Sequence, residues 1–148
     1  MHALTTAGLG FLFAVLWFDL MFDVQAIPHR KAEQLPQSVV ESIATYYRRV
    51  TTDASPMGRL VVLAMLASIV GFVAQIAHQG PRWYLLAAFP IAVFPMALAG
   101  GRVVPMAVRL GAQGDPPEAQ SHMARTILRD HLICVVMIAT ALVMQLAS

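Results

Sequence analysis

The sequence has little charge and almost no cysteine. Only 12% of its 148 residues are charged, whereas 58% are hydrophobic. A water-soluble domain of this length could not bury so much apolar surface, so we expect the chain to lie in a lipid bilayer, with no nucleic-acid partner. Its single cysteine, Cys134, excludes an internal disulfide and a Cys-x-x-Cys metal or redox motif.

Four apolar segments are each near the length of about 20 residues that crosses a bilayer as a helix. None of them alternates with the period of two that is typical of barrel strands. The fold class is therefore all-α: a four-transmembrane-helix bundle forming one integral membrane domain, residues 1–148, without an internal repeat. We predict membrane helices at about residues 4–27, 56–79, 82–107 and 116–146.

Local signals predict how these helices begin and where they are irregular. Ser55 followed by a proline is typical of an N-cap and first turn. Pro90 and Pro95 each remove an internal hydrogen bond, and Pro105 should disturb the turn at Gly101, so we expect the third helix to be irregular. Asp115 and Glu118 have the spacing of a capping box at the start of the fourth helix.

The basic residues are absent from both tails and nearly absent from the second loop. Nine of the ten Lys and Arg residues lie in or beside the first and third loops, and only Arg82 lies in the second. The positive-inside rule then predicts an inner (plasma) membrane protein with both termini outside the cytoplasm. The first loop also contains apolar residues at helical spacing, which predicts an amphipathic helix on the inner membrane face or over the end of the bundle: Val39, Val40, Ile43, Tyr46, Tyr47 and Val50.

Two acids interrupt the first apolar segment. Asp19 and Asp23 are four residues apart, about 400° around a helix, so both lie on nearly the same face. An ionised carboxylate in lipid is costly and persists only where it meets a partner, a cavity or a substrate. We expect Asp19 to be buried and paired, with Arg102 or Arg129 as its partner, although such a pair could be purely structural.

Counting along the helices brings further polar residues to the same level. Asp19 lies about 22 Å below the outer end of its helix and Asp130 about 24 Å below the end of the fourth. We therefore predict one site in a cavity near the cytoplasmic face. The residues that we assign to it are Asp19, Asp130 and His131 as catalytic groups, and Asp23, Arg102, Arg129, Trp17 and Phe22 as substrate-binding groups.

Three chemistries fit such a site. The first is deprotonation or oxidation of a hydrophobic aromatic or quinone-like molecule, with Asp19 or His131 as base and an arginine holding the oxyanion. The second is a metal centre on Asp19, Asp23 and His131, but no His-x-x-x-His or Glu-x-x-His motif is present and we assign no metal and no required cofactor. The third is proton conduction, against which we weigh the lack of a polar lining in the outer half.

The layout resembles the anthrone-oxygenase-like membrane proteins. The features that carry the resemblance are the basic helical first loop, Val104-Pro105 to Leu110 at the end of the third helix, and Arg125 and Arg129 at the start of the fourth. Where that group usually has a polar amide after the Val-Pro pair, this chain has Met106-Ala107-Val108. The resemblance implies a helical bundle with a cavity near the inner interface and, in a few members, oxidation of polyketide anthrones without an obvious cofactor.

Two functions remain open from the sequence. The first is binding of a hydrophobic aromatic or quinoid molecule, which as an enzyme would make the chain a membrane-bound oxidoreductase or oxygenase. The second is non-enzymatic: a small subunit or assembly partner of a larger membrane redox complex, or a homo-oligomer. In the second case the small residues of the second helix would serve contacts between helices: Ala64, Ala67, Gly71 and Ala74.

Overall fold

The apolar segments form helices throughout, as their length and composition predict. The computed structural model describes residues 1–148, apart from the side chain of Ser55. The described chain is 88% helical and contains no strand. The helices are α1 (His2–Asp23), continued by a 3-10 turn (Val24–His29), α2 (Gln37–Arg48), α3 (Ser55–Gln79), α4 (Trp83–Leu98), α5 (Val104–Ala112) and α6 (Pro117–Leu146).

Within the described residues, four helical stretches are long and apolar enough to cross a membrane. They are His2–His29, Pro56–Gln79, Trp83–Ala112 and Pro117–Leu146. Large apolar side chains cover the outside of the bundle: Leu63 is 62% exposed and Val136 is 64% exposed. Such a surface is stable in lipid rather than in water, so the chain is a multi-pass membrane protein. The helical content of the described chain confirms the all-α fold class.

The third span is irregular at Gly101, the turn that Pro105 is expected to disturb. Helix α4 stays α-helical through Pro90 and Pro95 and then gives way to a five-residue π-helical turn, Ala99–Val103. This turn carries Arg102, and α5 then continues the span to Ala112 with Pro105 in its first turn. The helix therefore ends five residues later than the predicted residue 107, because a proline in the first turn of α5 costs no helical hydrogen bond.

The predicted caps have a mixed outcome. The side chain of Ser55, our expected cap for α3, lies outside the described part of the chain. The predicted capping box of α6 is wrong, since Pro116 is its N-cap residue and makes no side-chain cap bond. Asp115 instead accepts two hydrogen bonds from Arg109, and Glu118 accepts one from Gln34 of the first loop.

Helix α1 packs against both α3 and α6, and α4 packs on α6. The apolar core has two parts. One fills the membrane end that holds both termini and is lined by Leu9, Phe72 and Ile138. The other lies beneath α2, where Ile43 and Leu110 are fully buried. Helix α2 therefore covers the end of the bundle, because its apolar face packs on α5 rather than on lipid.

Loop 1 is held against α6 by one partly buried arginine. Arg125 donates hydrogen bonds to the backbone oxygens of His29 and Ala32, at 3.2 and 2.6 Å. His29 ends the 3-10 extension of α1, where a cation is favourable because the helix dipole is negative there. The backbone N–H of Leu35 also donates to Ser121 at 3.0 Å. These contacts fix where α2 begins.

Helices α2 and α5 approach each other closely at Gly111 of α5. A Cβ atom there would lie 2.7 Å from the backbone N and 2.9 Å from Cα of Arg48. Backbone atoms cannot move aside as a flexible side chain can, so Gly111→Ala should destabilise the protein by about 1–3 kcal/mol. We expect a lower thermal midpoint in detergent.

Gly10→Ala is the matched control: it is also helical and has nothing within 4 Å of the added Cβ. It should be neutral or stabilising by up to about 1 kcal/mol, and equal midpoints for the two variants would contradict this packing.

Candidate functional site

Two tyrosines of α2 bind the two acids of α1. The hydroxyl of Tyr46 donates to Oδ1 of Asp19 at 2.7 Å, and that of Tyr47 donates to Oδ1 of Asp23 at 2.7 Å. The acids are one helical turn apart on the same face of α1, as predicted, so neighbouring tyrosines on a crossing helix can reach both. Each carboxylate thus accepts one hydrogen bond from α2.

His131 of α6 joins the same group and connects the ends of the chain. Its Nδ1 lies 2.7 Å from Oδ2 of Asp23, and its Nε2 lies 3.8 Å from Oδ2 of Asp19. With Asp23 ionised, Nδ1 is the donor, and in the neutral ring Nε2 then has the free lone pair. Among the described side chains, Nε2 makes no hydrogen bond, and the charged group beside it is Oδ2 of Asp19. We call Asp19, Asp23, Tyr46, Tyr47 and His131 the acid–histidine cluster.

The cluster has a buried side and a side that reaches the surface. Asp23 is fully buried, whereas the side chain of Asp19 is 14% exposed. The rings of Phe22 and Tyr46 are both half-buried and stack beside Asp19, with centroids 4.0 Å apart and planes 9° from parallel. A molecule that approaches the cluster would therefore meet Asp19 and this aromatic pair first.

Both tyrosines are hydrogen-bond donors at any physiological pH. Burial, and then the charge of Asp19, raises the pKa of Tyr46 well above its usual range. Burial, and then the charge of Asp23, does the same to the pKa of Tyr47. A phenolate beside a carboxylate in a low-dielectric site would be unfavourable, so neither tyrosine can act as a base.

Asp130 belongs to a second, separate group. Its Oδ1 accepts hydrogen bonds from Nε and Nη2 of Arg129 at 3.2 and 3.1 Å, and Nε of Arg102 lies 3.1 Å from its Oδ2. The Asp130 side chain is 2% exposed, whereas those of Arg102 and Arg129 are 47% and 61% exposed. Adjacent residues of a helix point about 100° apart, which is why Asp130 and His131 face different partners.

The structure brings together most of the predicted site residues, but in two groups rather than one. Our expected pairing of Asp19 with Arg102 or Arg129 is wrong, because both arginines bind Asp130 and Asp19 contacts Tyr46 and His131. Trp17, which we expected to bind substrate, is 58% exposed, and its ring packs 6.4 Å from Phe13. Trp17 therefore faces outward, away from both groups.

Sequence reasoning missed the two tyrosines as site residues. We assigned Tyr46 and Tyr47 to the apolar face of α2, where their rings do pack in the core beneath that helix. The available signal was their polar tip, since a buried tyrosine hydroxyl usually finds a hydrogen-bond partner. Two adjacent tyrosines on the face of a helix that covers the bundle, together with two acids lacking an assigned donor, indicate this pairing.

Two surface depressions lie outside the acid–histidine cluster. Two open depressions have volumes of about 400 and 370 Å³, and neither is lined by a residue of the acid–histidine cluster. In the described part of the chain, no group of three or more His, Cys, Asp or Glu side chains is arranged to hold a metal ion. The hydrogen bonds of Asp23 already occupy the oxygens that such a metal would need.

The half of the bundle that holds both termini also contains a buried polar chain, although we expected no polar lining there. The amide of Gln145 donates to Gln75 at 2.7 Å, and the amide of Gln75 donates to Thr5 at 2.8 Å. The ring Nε2 of His2 lies 2.6 Å from the backbone oxygen of Gln145. Fully buried apolar residues such as Leu9 and Ile138 lie between this chain and the acid–histidine cluster.

Fold and site together define a class: a helical multi-pass membrane protein with a buried acid–histidine–tyrosine cluster at one end of its bundle. No family model matches the chain, and neither the curated proteins nor the solved structures include a significant match. Function must therefore be argued from the side chains themselves.

The hydroxyl of Tyr47 is the donor that holds the most deeply buried acid. Tyr47→Phe should leave Oδ1 of Asp23 without this donor and destabilise the protein by about 1–3 kcal/mol, measured as a lower thermal midpoint in detergent. Tyr84→Phe is the control, since the hydroxyl of Tyr84 makes only one 3.3 Å bond to Gln79 at the surface. If both variants unfold at the wild-type temperature, the Tyr47 hydroxyl does not hold Asp23.

Proposed function

We propose that this chain binds a hydrophobic aromatic or quinone-like molecule from the bilayer and takes a proton from it. The observation that carries the proposal is the 2.7 Å hydrogen bond between Asp23 and Nδ1 of His131, which leaves Nε2 free to accept a proton. A carboxylate that orients a histidine in this way also stabilises the imidazolium that forms.

The neighbouring residues have distinct roles in this proposal. Asp23 orients the ring and His131 is the base. Asp19, whose Oδ2 is 3.8 Å from Nε2, stabilises the positive charge once the proton has arrived. Tyr46 holds Asp19 in place by donating to its other oxygen.

The stacked rings of Phe22 and Tyr46 support an aromatic substrate. They lie beside Asp19, the partly exposed member of the cluster, and a flat apolar ring could extend their stack. Asp130 acts here as the anchor of Arg102 and Arg129 rather than as a base, because its carboxylate faces two guanidinium groups. Two arginines on one acid leave one positive charge for a developing oxyanion.

Oxidation would be a further step, as the resemblance to the anthrone-oxygenase-like proteins implies. After His131 has removed a proton, the substrate carbanion passes its electrons to dioxygen. For a methylene carbon the net change inserts one oxygen atom of O₂ as a carbonyl and releases the other as water. In this proposal the chain supplies the base and the binding surface, and the membrane-bound activity is that of an oxygenase.

We also propose an inner (plasma) membrane location with both termini outside the cytoplasm. The placement of nine of the ten basic residues in or beside the first and third loops supports this orientation. His2 and Gln145 meet at 2.6 Å, which is consistent with both termini lying on the same side.

The proton transfer can be measured with a lipophilic nitrophenol whose phenolate absorbs visible light. Added to the purified protein in detergent at neutral pH, it should gain phenolate absorbance because His131 takes its proton. His131→Gln should abolish the gain, since glutamine can still bond Asp23 but cannot accept a proton. His78→Gln should behave as wild type, because His78 is exposed and outside the cluster. A wild-type response from His131→Gln would exclude His131 as the base.

Asp19→Asn tests the second acid separately. It removes the charge that faces the imidazolium while keeping an oxygen for Tyr46. We expect the affinity for the phenolate probe to fall by about tenfold, equivalent to about 1.4 kcal/mol, with an unchanged thermal midpoint. Unchanged affinity would show that Asp19 does not stabilise the charged histidine.

The alternative is a non-enzymatic subunit of a larger membrane complex. The small residues that we expected to serve a partner are partly used inside the chain: a Cβ on Gly71 would lie 2.2 Å from Oγ1 of Thr5, and one on Gly8 would lie 3.0 Å from the carbonyl oxygen of Ala64. This close packing of α1 on α3 weakens the case for a partner at that face. Stable co-purification with other membrane polypeptides, and no response to the phenol probe, would favour the subunit.

A further inference from the structure

A polar cleft lies outside the acid–histidine cluster, at the end of α2. It is an open depression of about 400 Å³. No residue of the cluster lines it, so its use is independent of the proposed function. The residues that line the cleft are Thr45, Arg48, Arg49, Asp53 and Gln113.

The cleft carries a net positive charge. It contains two arginines and one acid, and the acid neutralises little of the charge of its partner. Nε of Arg48 is 3.9 Å from Oδ2 of Asp53, and their side chains are 67% and 58% exposed. An ion pair so long and so exposed is weak. Arg49 makes no ion pair with any side chain that the structure describes, so its guanidinium is available to a ligand.

The cleft lies where two membrane spans end. The span Pro56–Gln79 begins three residues after Asp53, and the span Trp83–Ala112 ends one residue before Gln113. The cleft is therefore at the level where hydrocarbon gives way to lipid headgroups. Guanidinium groups bind phosphate oxygens through paired hydrogen bonds, and basic pockets beside membrane helices hold anionic headgroups.

We propose that this cleft binds the phosphate of an anionic phospholipid headgroup. Arg48 and Arg49 bind the phosphate oxygens, and the exposed side chains of Thr45 and Gln113 are placed to donate to the rest of the headgroup. Zwitterionic lipids carry an additional cation that the two arginines disfavour, so the cleft should discriminate between lipid classes. A free phosphate ion shares the chemistry but lacks the acyl chains that hold a lipid at this level.

The test is titration of the full-length protein in a neutral detergent with phosphatidylglycerol, counting bound lipids by native mass spectrometry. The Arg48→Gln/Arg49→Gln variant should bind phosphatidylglycerol about 25-fold more weakly, since each arginine near a charged lipid surface contributes about fivefold. Arg48→Lys/Arg49→Lys should lie between this variant and wild type, because lysine keeps the charge but not the paired hydrogen bonds. The double lysine variant also tests the cleft if the double glutamine variant does not fold.

The matched control is Arg30→Gln/Lys31→Gln, which removes the same charge from two adjacent exposed residues outside the cleft. It should bind phosphatidylglycerol as wild type does. Equal losses in the two double variants would overturn the proposal, because the lipid would then respond only to overall charge. Equal binding of phosphatidylcholine, or displacement of the lipid by millimolar inorganic phosphate, would also overturn it.

Discussion

The hydrogen bond between Asp23 and His131 is the interaction on which the bundle depends. It joins residues 108 positions apart, at 2.7 Å, in a place where Asp23 is fully buried. A carboxylate in hydrocarbon without a partner would cost several kcal/mol, so α1 and α6 are stable in the membrane only side by side. Once they pair, Tyr47 completes the shell of Asp23, and α2 must lie across the end of the bundle.

The charged residues near this end separate into two groups with different physical roles. Asp130 is enclosed by Arg102 and Arg129, so its charge is balanced by side chains that reach the surface. Asp19 and Asp23 have no arginine and rely on tyrosine hydroxyls and one imidazole. In the first arrangement a guanidinium lies against each oxygen of the acid. The second places an imidazole beside two carboxylates, and for this reason we propose chemistry there and a structural role for Asp130.

Much of the fold could be predicted because lipid imposes simple requirements on a sequence. Apolar length predicted the four spans, Pro105 predicted the irregular turn of the third span, and Val40, Ile43 and Tyr47 predicted the buried face of α2. The predicted capping box is wrong because its two acids accept hydrogen bonds from Arg109 and Gln34 instead. Neither donor belongs to the capping motif. Local signals compete with tertiary contacts, and short polar motifs lose that competition most easily.

The sequence by itself determined that this protein lies in lipid, where its helices run, and the level at which Asp19, Asp23, Asp130 and His131 lie. The environment follows from the apolar composition, and the level follows from counting residues along a helix of known rise. Only the tertiary structure decided which side chain meets which, because partner choice depends on how each helix is rotated about its axis. A hydrogen bond needs its two atoms within about 3 Å, and helical level alone cannot supply that accuracy. Helix α6 is rotated so that His131 faces Asp19 and Asp130 faces the arginines. Packing of α2 on α5 places the two tyrosines beside the acids of α1.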